Sequence, residues 1–170
     1  MKIIVVSDSH GREENLKRVI EMHRNADVFL HLGDGAPGFL SLCRTMGFAA
    51  FAVRGNCDFF SSHDSPLENQ LLLNLDGIKI FMTHSHYYGG NHSSVEYAAF
   101  ERGADIALFG HTHERYSSYI APDDEDKRGA LYVMNPGSIE RPRDFLPPSY
   151  GIIDITKSGI MTNIVDVPGL

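Results

Sequence analysis

Gly110-His111-Thr112-His113 sets two imidazoles one residue apart, directly after the apolar run 106–109. An extended backbone sends residues i and i+2 to the same side, so both rings can enter one small volume, as metal ligands would. Read alone, the pair serves equally as two exposed loop histidines. Its company decides the reading. Asp8 and His10 follow an apolar run at the N-terminus, Asp34 follows a second at 27–31, Asn56 follows a third at 48–53, and His84 follows 78–83. Singly, each has a plain structural use: Asp8 or Asp34 as a helix cap, Asn56 as a turn residue, His84 as a hydrogen-bonded core histidine. Five separate strand ends all carrying donor side chains make an unusual coincidence. Imidazole with carboxylate and amide oxygens suits first-row divalent ions better than calcium. Asp34 is the natural bridge, because one carboxylate can hold two ions about 3.5 to 4 Å apart.

The elements that must position these donors are readable. Residues 2–7 are a β-branched run, the pattern of a strand covered on both faces. Leu16, Val19, Ile20 and His23 recur at helical spacing, which predicts an amphipathic helix over 13–23. A strand at 27–31, a helix at 37–46 and a strand at 48–53 continue a βαβ winding. Then the pattern changes. Asp76-Gly77 separates 70–75 from 78–83, a hairpin signal. A helix is expected at 95–102, a buried strand at 105–109, further strands at 116–121 and 130–134, and a last hairpin at 150–155 and 160–165. These predict two mixed sheets packed face to face with helices outside. All candidate donors then lie at carboxyl ends of strands, the edge where open α/β sheets assemble ligand sites.

Composition narrows the function. At 170 residues, 42% apolar and 22% charged, with no low-complexity tract, the chain reads as one globular domain over 1–170. No apolar run approaches the roughly 18 to 20 residues of a bilayer span, and the N-terminus opens on a strand in place of a signal peptide. A cytoplasmic protein without membrane partners is expected. Cys43 and Cys57 form no disulfide framework or zinc module. A formal charge of −7 opposes binding to extended nucleic acid, which normally takes a basic face. A short phosphate ester remains compatible.

Asp8-Ser9-His10, Gly33-Asp34, Gly55-Asn56-Cys57-Asp58, Thr83-His84-Ser85-His86 and Gly110-His111-Thr112-His113 stand in the order of the calcineurin-like metallophosphoesterase superfamily. The chain resembles its small single-domain phosphodiesterases, in Asn135-Pro136-Gly137-Ser138 and Arg141-Pro142-Arg143 as well. The resemblance implies an αββα sandwich. It implies Asp8, His10, Asp34 and His113 on one metal, and Asp34, Asn56, His84 and His111 on the other. It further implies a hydrolase that cleaves small phosphodiesters with a hydroxide bridging two divalent ions drawn from manganese, nickel, iron or zinc, manganese favoured. A homodimer is implied too. A phosphomonoesterase is the nearest alternative, and a non-catalytic protein-binding scaffold of the same fold, as in a retromer subunit of this superfamily, is the alternative from another class.

Around that core, Asp34 and Asn56 are read as catalytic as well as ligating, with His86, Cys57 and Asp58 beside them. His86 is a phosphate contact or, with a shifted register, a ligand in place of His84. Asp58 is expected to orient a neighbour of the ligands. Cys57 stands where larger superfamily members carry a histidine near the leaving group. It is read either as a weak proton donor that restricts the enzyme to good leaving groups or as a loop residue without a chemical role. Ser85 stands where the small subfamily usually has Gly, and Arg115 where it often has Pro. Arg12, Arg54, Arg115, Arg141 and Arg143 are candidate phosphate contacts. Residues 61–66 and 87–92 are candidate specificity loops, and 87–90 a candidate mobile wall of the cleft.

Overall fold

A computed structural model describes residues 1–58, 67–125 and 128–169 of the chain. The first β-branched run forms β1 (Lys2–Val6), buried from Ile3 onward. It pairs in parallel with β2 (Val28–His31), and β2 with β3 (Ala50–Ala52). The crossovers are α1 (Glu14–Met22) and α2 (Ala36–Met46). After residue 66 the chain builds a second sheet: the hairpin β4 (Gln70–Leu75) and β5 (Ile78–Thr83), a 3-10 turn at His86–Tyr88, α3 (His92–Glu101), β6 (Ile106–Phe109), β7 (Arg115–Ile120) and β8 (Leu131–Pro136). The closing hairpin, β9 (Ser149–Thr156) and β10 (Gly159–Asp166), returns to the first sheet, where β9 lies antiparallel to β1.

Strand orders are β10-β9-β1-β2-β3 and β4-β5-β6-β8-β7. Both sheets are mixed, as expected. Alternation along β1 explains the layering, since successive side chains point to opposite faces. Ile3 and Val5 face inward with Leu30 and meet Ile80, Met82, Ile106, Leu108 and Met134 of the second sheet. Ile4 and Val6 face outward with Phe29, under Leu16, Val19 and Ile20 of α1 and Phe39 and Cys43 of α2. On the other outer face Phe81, Ala107 and Phe109 take Val95, Ala98 and Ala99 of α3. The layers run helix, sheet, sheet, helix.

Local departures have physical causes. The helix expected at 95–102 begins at His92, because the Asn91 side chain accepts a hydrogen bond from Ser94 N at 3.3 Å and caps the first turn. The expected strand at 48–53 is only Ala50–Ala52. The 3-10 turn at His86–Tyr88, flanked by left-handed Ser85 and Gly89, was not predicted by the sequence pattern. It stands in the stretch read as a candidate mobile wall. Asp76 and Gly77 have φ of 54° and 83°, as their tight-turn pattern predicts. The candidate loop 61–66 lies outside the described residues. No helix among those described is long and apolar enough to cross a membrane.

Candidate metal centre

All seven candidate donors follow carboxyl ends of strands, Asp8 and His10 after β1, Asp34 after β2, Asn56 after β3, His84 after β5, and His111 and His113 after β6. Short cross-links hold these ends together. Asp8 N donates to Gly33 O at 3.1 Å and His10 N to Asp34 O at 2.8 Å. Glycines allow the approach: a Cβ at Gly55 would fall on the backbone N of Asp34, and one at Gly110 on Ser7 Oγ. Among the described residues eight non-glycines have positive φ, and five of them are Asp8, His10, Asp34, His111 and His113. Left-handed backbone costs roughly 1–2 kcal/mol at a residue with a Cβ and clusters where function maintains it. The strain is concentrated on the candidate donors.

Asp8 is fully buried. Its Oδ2 accepts from Ser7 Oγ at 2.5 Å and from His111 N at 3.2 Å. Its Oδ1 has no hydrogen-bond partner among the described residues, although His113 Nε2 stands 3.3 Å away and His84 Nε2 4.0 Å away. His113 Nδ1 donates to Arg141 O at 2.6 Å and His84 Nδ1 to Leu32 O at 2.7 Å. Each carbonyl fixes the tautomer and leaves Nε2 as the lone-pair nitrogen, the usual arrangement behind a metal-ligating histidine. Those lone pairs face other donors: His113 Nε2 lies 3.2 Å from His10 Nε2, and His84 Nε2 lies 3.1 Å from Asn56 Oδ1 and 3.5 Å from Asp34 Oδ1. Electron pairs aimed at one another are repulsive unless a proton or a metal cation lies between them.

The side chains respond electrostatically. Burial alone would push His84 down, but Asp34 and Asp8 outweigh it and raise its imidazole above the ordinary value. Burial opposes the same rise at His113, where Asp8 prevails. Asp8 and Asp34 are held below the usual carboxylate range although burial opposes it, Asp8 by His113 and His84, Asp34 by His84 and the Cys57 N–H. Burial, then the charge of His84, lower His111.

Donor atoms of Asp8, His10 and His113 lie within 4.8 Å of one another, as do those of Asp8, Asp34 and His84, and of His10, Asp34 and Cys57. Asp34 therefore touches two of these groups. His111 belongs to none of these three groups, its ring centre lying 5.1 Å from that of His84 and 6.2 Å from that of His86. His86 is half-buried and its Nδ1 has no partner among the described residues.

Several neighbours do work that the sequence did not disclose. Asp58 was read as orienting a nearby group; it spends all its acceptor capacity on backbone, Oδ2 taking Asp34 N and Gly55 N at 3.0 and 2.8 Å, Oδ1 taking Gly35 N and Ala36 N at 2.6 and 3.3 Å. It clasps the Asp34 loop to the Asn56 loop and touches neither ligand side chain. Asn135 Nδ2 donates to Gly110 O and Thr112 Oγ1, and Ser138 Oγ to Asp8 O. Ser85, left-handed at φ 67°, donates from Oγ to Gly110 O at 3.0 Å. Arg115 is engaged by Asp144 and Asp166. Arg12 lies 3.9 Å from Glu140. Arg141 lines an open cleft of about 450 Å³ with His10, Asp34, Cys57 and Asp58.

The family model for the calcineurin-like phosphoesterase superfamily domain matches residues 1–158. A probable metallophosphoesterase of Bacillus subtilis (strain 168), YsnB, is 34% identical over 99% of this chain and 93% of its own. The phosphodiesterase YfcE of Escherichia coli (strain K12) is 28% identical over 91% of this chain and 88% of its own. A crystal structure of a conserved predicted phosphoesterase from Streptococcus pneumoniae TIGR4 superposes with a TM-score of 0.76 at 27% identity, over 99% of this chain and 94% of that one.

Proposed function

This chain belongs to the calcineurin-like phosphoesterase superfamily, and from that premise we propose that it is a phosphodiesterase acting on small esters with two divalent metal ions. The observation that carries the reading is Asp8 Oδ1, an acceptor buried without a hydrogen-bond partner at the point where His113 and His84 aim their lone-pair nitrogens. A buried carboxylate oxygen left so would cost several kcal/mol. A coordinated cation removes that cost, and the donor set fits one. Asp8, His10, Asp34 and His113 would hold one ion, Asp34, Asn56, His84 and His111 the other.

Bound there, divalent ions would lower the pKa of a water toward neutrality and neutralise phosphate charge. The protein's own share is positioning. Leu32 O and Arg141 O keep His84 and His113 in the ligating tautomer. The Asp58 clasp fixes the spacing of Asp34 and Asn56, and Ser138 and Asn135 fix the Asp8 and His111 loops. With the carboxylates of Asp8 and Asp34 against two dications, the loaded centre would keep a net positive charge that attracts an anionic ester.

Diesters are favoured over monoesters by the name of the Escherichia coli relative. Cys57 sets a limit on the leaving group. Without a cation beside it, burial, with Asp34 next, pushes its thiol up; a neutral thiol is a weaker proton donor than an imidazolium, and a nearby cation would draw it toward thiolate, so it serves poorly as an acid. Good leaving groups should therefore be preferred, and Cys57→His should improve poor leaving groups more than good ones. Equal effects on both count against this. The same reading takes the protein as cytoplasmic, its −7 charge opposing an extended polyanion.

The test is turnover of an activated aryl diester and the matching monoester after chelation and readdition of manganese. Faster diester turnover, abolished by Asp34→Ala, is expected. Protein that binds no metal and leaves every ester intact would favour the scaffold alternative instead.

A further inference from the structure

We propose that the cleft opening from His10 and Asp34 is a subsite for one organic arm of the diester, an arm of nucleoside size that carries its own negative charge. Gly38 keeps the wall of this subsite open, and Arg141 meets the charge. The inference rests on the hydrolase reading of the adjoining centre and names the kind of substrate it takes. The cleft encloses about 450 Å³, within the range of about 300 to 1,000 Å³ usual for small-molecule sites. A methyl group would leave most of it empty. Because His10 and Asp34 line it, a phosphodiester at the metal centre has this space directly beside it for one of its two arms.

Gly38 has no structural reason to be glycine. Gly35, which also lines the cleft, has a φ of 121°, and a Cβ there would fall on Ser9 Oγ. Gly38 lies within α2 without a positive φ, and a Cβ on it would meet nothing within 4 Å. Neither conformation nor packing calls for glycine there, and glycine costs a helix stability relative to alanine. Stability forgone to keep a wall bare is the trade seen at functional sites. Arg141 supplies the charge. Arg12 and Arg115 have carboxylates within 4.0 Å, whereas Arg141 forms no ion pair among the described residues. Its backbone is held on both sides, N donating to Ser138 Oγ at 2.7 Å and O accepting from His113 Nδ1 at 2.6 Å. An anchored root thus carries an exposed guanidinium at the cleft, the group best shaped to grip an anionic oxygen pair. The Asp58 carboxylate nearby does not oppose this, because four backbone N–H groups already occupy it.

The experiment uses the full chain loaded with manganese and measures how unreactive diesters compete with turnover of an aryl methyl phosphate. Each competitor keeps one methyl arm. The other is methyl, thymidine joined through its primary hydroxyl, or the same thymidine phosphorylated on its secondary hydroxyl. Wild type should bind the thymidine ester about tenfold more tightly than dimethyl phosphate, and the phosphorylated ester about fivefold more tightly again. Gly38→Leu should erase the first gain. Arg141→Gln, which keeps the backbone carbonyl that holds His113, should erase the second and keep the first. Thiol alkylation gives a readout without a variant, because Cys57 is exposed and lines the cleft while Cys43 is buried: the phosphorylated ester should slow labelling of Cys57, and dimethyl phosphate should not. Equal competition by all three esters in wild type, or gains that survive both substitutions, overturn the proposal and leave the hydrolase reading intact, since the aryl ester is still cleaved. No cleavage of the aryl ester overturns both.

Discussion

Replacing Asp58 with Asn tests whether the metal centre is held open and in register by a backbone clasp. The side chain keeps its size, but one oxygen becomes an NH2 group facing two backbone N–H donors. If the amide turns toward the helix, Gly35 N and Ala36 N lose their acceptor; if it turns inward, Asp34 N and Gly55 N do. Hydrogen bonds to a charged group contribute about 1.5–3 kcal/mol each, and the carboxylate at the N-terminus of α2 adds about 0.5 kcal/mol. Half-buried Gly35 can recover part of the loss from water, so the outward turn is favoured at a net cost of about 3 to 4 kcal/mol. For a chain of this size that is about 6 to 16 °C in Tm. Metal affinity should fall about tenfold or more, because the Asp34 and Asn56 loops lose half their tie. Thermal unfolding in chelator and calorimetric metal titration measure the two effects separately. A Tm within about 2 °C of wild type, with unchanged metal affinity, would refute the clasp.

Ser85→Gly relieves a left-handed backbone worth roughly 1–2 kcal/mol and loses a hydrogen bond worth about 1 kcal/mol, so it should lie within about 1 kcal/mol of wild type. Ser85→Ala keeps the strain and loses the bond, so denaturant midpoints should rank it below Ser85→Gly; the reverse order contradicts the trade. Gly55→Ala drives a Cβ into Asp34 N and should destabilise by about 1–3 kcal/mol while weakening metal binding. Gly38→Ala in α2, with nothing within 4 Å of its Cβ, should gain about 0.5–1 kcal/mol in the same melts. His31 is fully buried, its Nδ1 accepting from Gly33 N and its Nε2 facing Ser9 Oγ, and burial pushes it down to about 4. Because the folded pKa lies below the unfolded value near 6.5, the unfolded chain binds more protons between about pH 6.5 and 4, and stability falls as pH falls through that window by about 3 kcal/mol. Denaturation across that range in chelator should be clearly flatter for His31→Gln; parallel pH profiles would contradict this.

The sheets were legible because their signals are local. β-Branched runs, the Asp76-Gly77 turn and the helical spacing of Leu16, Val19 and Ile20 each report within a few residues, and donors placed after apolar runs pointed to one edge of the sandwich. What stayed hidden depends on neighbours distant in sequence. Asp58 is expected from the sequence to orient a neighbour of the ligands, and its bonds to backbone stay hidden because nothing local says that β2 and β3 lie side by side with their exit loops joined by hydrogen bonds. Asn135 and Ser138 resembled the superfamily without a legible job, which exists only because β8 lies beside β6 and its exit loop reaches the loop after β1. Arg115 looked available to phosphate until β7 placed it against Asp144 and Asp166. The left-handed Ser85 could have been suspected from the resemblance alone, since the glycine usual there tolerates positive φ.

Anomalous diffraction from crystals grown with excess manganese tests the central claim most directly. Two peaks about 3.5 to 4 Å apart, with Asp34 contacting both and Asp8 Oδ1 contacting one, are predicted. A single peak, or peaks away from Asp8 and Asp34, would contradict the two-ion centre.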